Sequence, residues 1–123
     1  MGDNQKTVEQ KVTIQGVGLH TGNLVTLTFC PTKENFGIKF QRIDLKNKPT
    51  IEADVDLVTE IERGTTLTKG GASVSTVEHV LSALTGLGID NCLVEVNAQE
   101  MPIMDGSAQP FVESFKRSRN KRI

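Results

Sequence analysis

The 123-residue chain has no tryptophan, no tyrosine, five phenylalanines and only two cysteines. With so few aromatic rings, it lacks the stacking surface that single-stranded nucleic acid requires. Cys30 and Cys92 are too far apart for a CxxC metal site and too few for a disulfide framework, so we expect two buried, inert thiols. No apolar run approaches the roughly 20 residues of a membrane helix, and the first ten residues contain no signal-peptide core. We therefore expect a cytoplasmic protein without a transmembrane segment.

The net charge of −1 is unevenly distributed along the chain. All fifteen acidic residues and nine of the fourteen basic ones precede position 116, so residues 1–115 carry a net charge of −6. An acidic domain lacks the basic surface typical of nucleic-acid binding. The other five basic residues lie within 116–123, which we predict to be a disordered basic tail following a domain at 1–115.

Alternating apolar and polar residues predict strands over 11–15, 24–29, 37–43, 49–58, 65–68, 72–74 and 90–97. The segment Gly16–Gly22 contains a GxG but precedes a strand rather than a helix, which favours a loop between antiparallel strands over a dinucleotide site. Gly70 and Gly71 predict a hairpin turn. Because strands and helices are segregated, we predict an α+β fold with a mostly antiparallel sheet and two helices packed on one face.

The first predicted helix follows Ser75, which forms the S-x-x-E pattern of a capping box with Glu78. Its apolar stripe has helical spacing and consists of Val77, Val80, Leu81 and Leu84. The second predicted helix follows Ser107, and its stripe consists of Ala108, Phe111, Val112 and Phe115. Both helices can therefore cover the sheet with one apolar face.

The two histidines are the main candidates for chemistry. His79 lies about 150° from the centre of the first helix's apolar stripe. Its expected face carries only small residues, namely Ser75, Thr76, Ser82 and Ala83. That face suits a site shared with another surface, but on helix geometry alone an exposed surface histidine without a task is the better explanation. His20 lies within the glycine-rich loop, either in a substrate pocket or simply in a turn.

Two carboxylates accompany these histidines. Glu78 is explained by the capping box alone, or it acts as a general base beside a metal. Asp105 precedes a glycine, as turn residues do, or it orients a histidine. A zinc hydrolase needs about three protein ligands and a water. The chain has no HExxH, no HxxxD and no cysteine cluster, so the residues by themselves indicate a partial site at most.

Four segments in one order resemble a known family. They are GVGLHTG at Gly16–Gly22, STVEHVLSAL at Ser75–Leu84, GLGIDN at Gly86–Asn91 and PIMDGSA at Pro102–Ala108. Together they resemble the N-terminal half of the zinc-dependent UDP-3-O-acyl-N-acetylglucosamine deacetylases of Gram-negative lipid A biosynthesis. The resemblance covers residues 5–115.

This resemblance implies two similar α+β domains whose helices face each other across a zinc site. It implies that His79 is one of three zinc ligands and that Glu78 is the general base. His20 and Asp105 match supporting positions near that site. Thr65 and Thr66 lie in a segment that we place near the UDP-sugar lipid precursor.

The family's other two zinc ligands and its general acid belong to a second domain that has no counterpart in this sequence. We therefore expect the chain to be the first domain alone, inactive until that missing domain completes it. The alternative is a non-catalytic domain that binds a sugar nucleotide or self-associates. Self-association would use the helix face around His79, where two copies would bring together two histidines and two glutamates.

Overall fold

The computed structural model describes residues 5–18, 20–61, 64–103 and 120–122, with the backbone alone at 103 and 120–122. These residues form one α-helix, α1 (Glu78–Gly86), and a 3₁₀ turn (Val55–Leu57). They also form the strands β1 (Lys6–Val8), β2 (Val12–Gly18), β3 (Leu24–Cys30), β4 (Ile38–Arg42), β5 (Thr50–Glu52), β6 (Val58–Glu60), β7 (Thr66–Lys69), β8 (Ala72–Ser75), β9 (Cys92–Val96), β10 (Pro102–Ile103) and β11 (Asn120–Arg122).

The main sheet has six strands in the order β10-β2-β3-β9-β4-β5. Every neighbouring pair is antiparallel except β4 with β9, which run parallel with Phe40 opposite Val94. The prediction of an α+β fold with a mostly antiparallel sheet is thus confirmed. Strands β2 and β3 pair antiparallel, as the sequence predicted. The predicted loop at Gly16–Gly22 is too long, because β2 continues to Gly18 and its last residues pair with the start of β3.

The core lies between one face of this sheet and α1. Val25, Leu27 and Phe29 of β3 are fully buried, while the intervening threonines are partly exposed. Because side chains alternate with a period of two residues along a strand, one side of β3 faces the interior. Val80 and Leu84 of α1 belong to the same buried cluster as these strand residues. Burial of this shared apolar surface is the main favourable contribution to folding.

A second sheet contains three antiparallel strands in the order β6-β7-β8. The turn between β7 and β8 places Gly70 at φ 57° and Gly71 at φ 84°. Two successive positive φ angles are the geometry of a tight hairpin turn, and glycine adopts them without a steric penalty. The predicted hairpin is therefore confirmed.

The predicted strand over 49–58 is wrong in its second half. Strand β5 ends at Glu52, and Asp54 accepts a hydrogen bond from the Asp56 N–H at 2.9 Å, which begins the 3₁₀ turn. Val55 is consequently 81% exposed, although the alternating pattern placed it on the buried side. A short acidic side chain that binds its own backbone competes with strand pairing, and here it prevails.

The second predicted helix and the predicted tail have different outcomes. The described residues contain one α-helix, and the second predicted helix, at 107–115, lies outside them. Within the basic tail, residues 120–122 form β11, which pairs antiparallel with β1. For these three residues the expected disordered tail is wrong, because the free edge of β1 provides a pairing partner.

Both cysteines are buried free thiols, as expected. Burial raises the pKa of Cys30, and it raises the pKa of Cys92 to about 12. Because the thiolate is the reactive form, these values disfavour reaction at either sulfur. Within the described parts of the chain, no helix is long and apolar enough to cross a membrane.

Two leucines of β3 provide a matched test of the core. Leu27 is fully buried and Leu24 is 63% exposed. We expect Leu27→Ala to lower the free energy of unfolding by about 2–5 kcal/mol, because it removes buried methyl groups and leaves a cavity. Leu24→Ala should change it by less than about 0.5 kcal/mol. Urea unfolding of both variants measures the difference, and equal losses would contradict the described packing.

Candidate functional site

Glu78 and His79 are the first two residues of α1. Glu78 is exposed and His79 is half-buried, so neither belongs to the core side of the helix. The Thr65 backbone N–H donates a hydrogen bond to Glu78 Oε1 at 3.0 Å. The Val77 N–H donates to the Thr65 carbonyl at 3.3 Å. Thr65 therefore contacts the start of the helix twice and orients the Glu78 carboxylate.

The predicted capping box is wrong. Ser75 is the last residue of β8, and α1 begins at Glu78 with no side-chain hydrogen bond at its cap residue, Val77. Glu78 is thus the first helical residue rather than the third. The reason is that the Ser75 backbone pairs with neighbouring chain segments on both sides, which keeps it extended.

Thr76 connects β8 to the helix in a strained conformation. Its φ of 60° is unusual for a β-branched residue. Thr76 is 6% exposed, and its Oγ1 is buried with no hydrogen-bond partner among the described residues. Gly64 packs against it so closely that an added Cβ would lie 3.0 Å from Thr76 Oγ1 and 3.4 Å from Glu78 Oε2. Strain of this kind persists only where surrounding contacts impose it, and it clusters at functional sites.

The exposed face of α1 carries fewer small residues than the sequence suggested. Ala83 was expected beside His79, but it is buried with Val80 and Leu84, and Leu81 is partly exposed. The apolar stripe is therefore rotated toward Ala83. Ser82 remains exposed on the helix.

His20 contacts a carboxylate that the sequence analysis missed. Glu100 is 3% exposed and accepts hydrogen bonds from the His20 N–H at 3.1 Å and the Thr21 N–H at 3.3 Å. It also contacts His20 Nδ1 at 2.5 Å, whereas the His20 side chain is 48% exposed. The carboxylate thus closes the glycine-rich loop from inside. In the sequence, Glu100 was indicated only by its position, two residues before the motif Pro102–Ala108.

Glu100 is buried yet stays ionised because of these donors. Burial by itself raises the pKa of its carboxyl, but the hydrogen bonds from the His20 ring and from the His20 and Thr21 backbones outweigh it. The pKa of Glu100 therefore lies below its ordinary value. A buried carboxylate is tolerated when it is hydrogen-bonded in this way.

The two parts of the candidate site share one segment of backbone. Ser75 N–H donates to the Gln99 carbonyl at 2.8 Å, and the Met101 N–H donates to the Ser75 carbonyl at 3.0 Å. Residues 99–101 thus hold the end of β8 just before the helix that carries Glu78 and His79. The side chain of the central residue, Glu100, holds the His20 loop.

The remaining candidates are less closely connected. Thr66 pairs with Ser75 in the small sheet and has no described contact with Glu78 or His79. Asp105 lies outside the described residues. Across the described residues, no group of three or more histidine, cysteine, aspartate or glutamate side chains could hold a metal ion.

Comparison with known proteins identifies the family. The sequence matches the family described as LpxC, UDP-3-O-acyl N-acetylglycosamine deacetylase, over residues 5–122. The chain belongs to this family. It is 55% identical over 113 residues to the bifunctional enzyme LpxC/FabZ of Bacteroides thetaiotaomicron, covering 92% of this chain and 24% of that protein.

Two further relatives are named UDP-3-O-acyl-N-acetylglucosamine deacetylase. The protein of Methylococcus capsulatus is 54% identical over 108 residues, which cover 88% of this chain and 36% of the relative. The protein of Geotalea uraniireducens is 45% identical over 119 residues, which cover 97% of this chain and 39% of the relative. The chain thus spans between about a quarter and two-fifths of the length of these relatives.

The contact between Glu100 and the chain near His20 explains why position 18, the second glycine of the GxG motif, is a glycine. An alanine Cβ at Gly18 would lie 2.5 Å from Glu100 Oε1 and 2.7 Å from Thr21 Oγ1. We expect Gly18→Ala to destabilise the fold by about 1–3 kcal/mol, because the buried carboxylate must shift. Gly86→Ala is the matched control, since nothing lies within 4 Å of its added Cβ. It should be neutral or stabilise by up to about 1 kcal/mol. Thermal unfolding compares the two, and a harmless Gly18→Ala would refute the close contact.

The lowered pKa of Glu100 predicts how stability depends on pH. Its ionised form is favoured in the folded state, so its contribution is present above its ordinary pKa of 4.5 and is lost as pH falls through the lower folded value. We expect wild-type stability to decline in this acidic range and Glu100→Gln to lack part of that decline. Exposed Glu34→Gln is the control and should decline as the wild type does. Urea unfolding across the acidic range measures all three, and identical slopes would contradict the prediction.

Proposed function

We propose that this chain is the first half of a zinc-dependent amidase that removes the N-acetyl group of UDP-3-O-acyl-N-acetylglucosamine in lipid A biosynthesis. The observation that carries the proposal is the Glu78–His79 pair at the exposed start of α1, in a chain that matches the deacetylase family over residues 5–122. The names of the relatives supply the substrate and the reaction.

His79 is the residue of this chain that would hold zinc. It is not among the buried residues of α1, is partly accessible, and makes no hydrogen bond to another described residue. A bound zinc ion would act as a Lewis acid and lower the pKa of a coordinated water. Because no complete ligand group exists among the described residues, the other ligands must come from elsewhere in the complete enzyme.

Glu78 would accept the proton of the attacking water. Its Oε1 accepts the Thr65 N–H, so Oε2 is the oxygen left for this proton. As water adds to the acetyl carbonyl, its proton passes to Glu78. A general acid from the rest of the enzyme would protonate the amide nitrogen, so that the C–N bond breaks to give acetate and a free amine. Thr65 holds the base in one orientation, which removes the entropy cost of arranging it during reaction.

The isolated chain should be inactive. Its described residues offer one proposed metal ligand and one proposed base, whereas a zinc hydrolase uses about three protein ligands. The chain spans 24–39% of the length of these relatives, so the proposed remaining ligands and general acid can lie in the part of the relatives that it does not match.

Zinc content and acetate release test the proposal together. The purified chain should contain little zinc and release no acetate from UDP-3-O-acyl-N-acetylglucosamine. Mixed with the separately produced remainder of a relative, it should bind about one zinc per complex, as the shared ligand set requires. His79→Ala should lose the zinc. Glu78→Gln should keep it and lower turnover by about 10²–10⁴-fold, the range of a lost general base.

Glu34→Gln is the control, because Glu34 is exposed and distant in sequence from the site. It should behave as the wild type in both measurements. Turnover by the chain alone would contradict the proposed inactivity. A completed sample that turns over without zinc would contradict the metal role of His79.

A further inference from the structure

The pairing of His20 with Glu100 has a consequence for the imidazole. A carboxylate only accepts hydrogen bonds, so the 2.5 Å contact requires the proton of a neutral ring to lie on Nδ1. Without this partner the ring could carry its proton on either nitrogen. The contact therefore selects one tautomer and leaves Nε2 without a proton.

The orientation of the ring follows from the same contact. Glu100 is 3% exposed, and it binds the backbone N–H and the ring of His20 at once. The Nδ1 edge thus faces the interior, while the side chain as a whole is 48% exposed. Nε2, on the opposite edge of the ring, is the atom available to a molecule outside the loop.

This arrangement is more than a loop closure needs. The Glu100 carboxylate already accepts the backbone N–H groups of His20 and Thr21, so backbone contacts hold the loop besides the ring contact. The third interaction, with Nδ1, fixes the orientation of a ring whose side chain is nearly half exposed. It thereby determines whether Nε2, the outer nitrogen, carries a proton. A carboxylate that holds one histidine nitrogen commonly prepares the other for function.

Position supports a link to the proposed site. Glu100 lies between Gln99 and Met101, whose backbone groups bind Ser75 immediately before the turn into α1. One three-residue segment therefore positions both the His20 loop and the helix start that carries Glu78 and His79. A shift of this segment would move both together.

We propose that Glu100 is a positioning residue that holds His20 as the Nδ1–H tautomer, so that Nε2 accepts a hydrogen bond from the sugar substrate. This inference rests on the proposed function. An unprotonated Nε2 is an acceptor only, and the diphosphate of a UDP-sugar offers acceptors only. The partner is therefore a hydroxyl or N–H group of the UDP-sugar rather than a phosphate oxygen.

The tautomer can be measured on the chain as it is. In long-range ¹H–¹⁵N NMR spectra of the labelled chain, recorded where neutral imidazole dominates, His20 should show a protonated Nδ1 and an unprotonated Nε2. In Glu100→Gln, the side-chain amide can donate or accept, so the ring should populate both tautomers. Glu34→Gln should leave the His20 signals unchanged. A His20 ring protonated on Nε2 in the wild type would overturn the proposal.

Substitution of His20 separates loop closure from substrate contact. Asparagine carries an amide N–H near the position of Nδ1 but has no counterpart of Nε2. His20→Asn should keep the wild-type thermal unfolding midpoint while lowering kcat/KM of the completed enzyme about tenfold, the effect of one lost hydrogen bond. Glutamine lacks the Nδ1-like donor, so His20→Gln should lose unfolding stability as well.

The outcomes are distinct for the two proposals. Full kcat/KM in His20→Asn would show that the ring only closes the loop, and it would overturn the substrate contact. If the completed wild type and Glu34→Gln release no acetate, the proposed function fails instead. The NMR measurement on the chain still supports or overturns the role of Glu100 in that case, because it does not depend on turnover.

Discussion

The candidate site depends on the pairing of Ser75 with the backbone of residues 99–101. Two hydrogen bonds, from Ser75 to the Gln99 carbonyl and from Met101 to the Ser75 carbonyl, keep the end of β8 extended up to its last residue. The chain must then turn sharply to enter α1, and Thr76 makes this turn at a φ of 60°. The cost of that conformation is offset by the contacts on either side of it. Glu78 and His79 consequently begin the helix and lie outside the core.

Polar contacts position the candidate functional residues, whereas apolar burial stabilises the scaffold that carries them. The sheet and α1 share one buried cluster, which gives the domain a rigid body. At its edge, the Thr65 N–H orients the Glu78 carboxylate, and Glu100 orients His20. Each contact is directional, so it fixes where a proton donor or acceptor points. A buried carboxylate such as Glu100 is stable only when donors surround it, which is why its surroundings are so specific.

One proposed metal ligand, His79, one proposed base, Glu78, and no complete ligand group among the described residues are consistent with a half-site. The chain belongs to the deacetylase family, and under the proposed function these residues are its share of the site. The proposed site between two bodies would also account for the position of Glu78 and His79 outside the core, since each body must direct its residues outward. The His20 loop adds a second polar element, built on the same three-residue segment.

The sequence by itself determined the elements that rest on local periodicity. Alternation defined β3, paired glycines defined the turn at Gly70, and four ordered motifs identified the family. Only the tertiary structure decided the start of α1 and the partner of His20. The hydrogen bond that orients Glu78 spans 13 positions and the His20–Glu100 contact spans 80. Local patterns carry no information about such pairs, because a strand or helix period describes which face is buried and not which distant polar group will meet it.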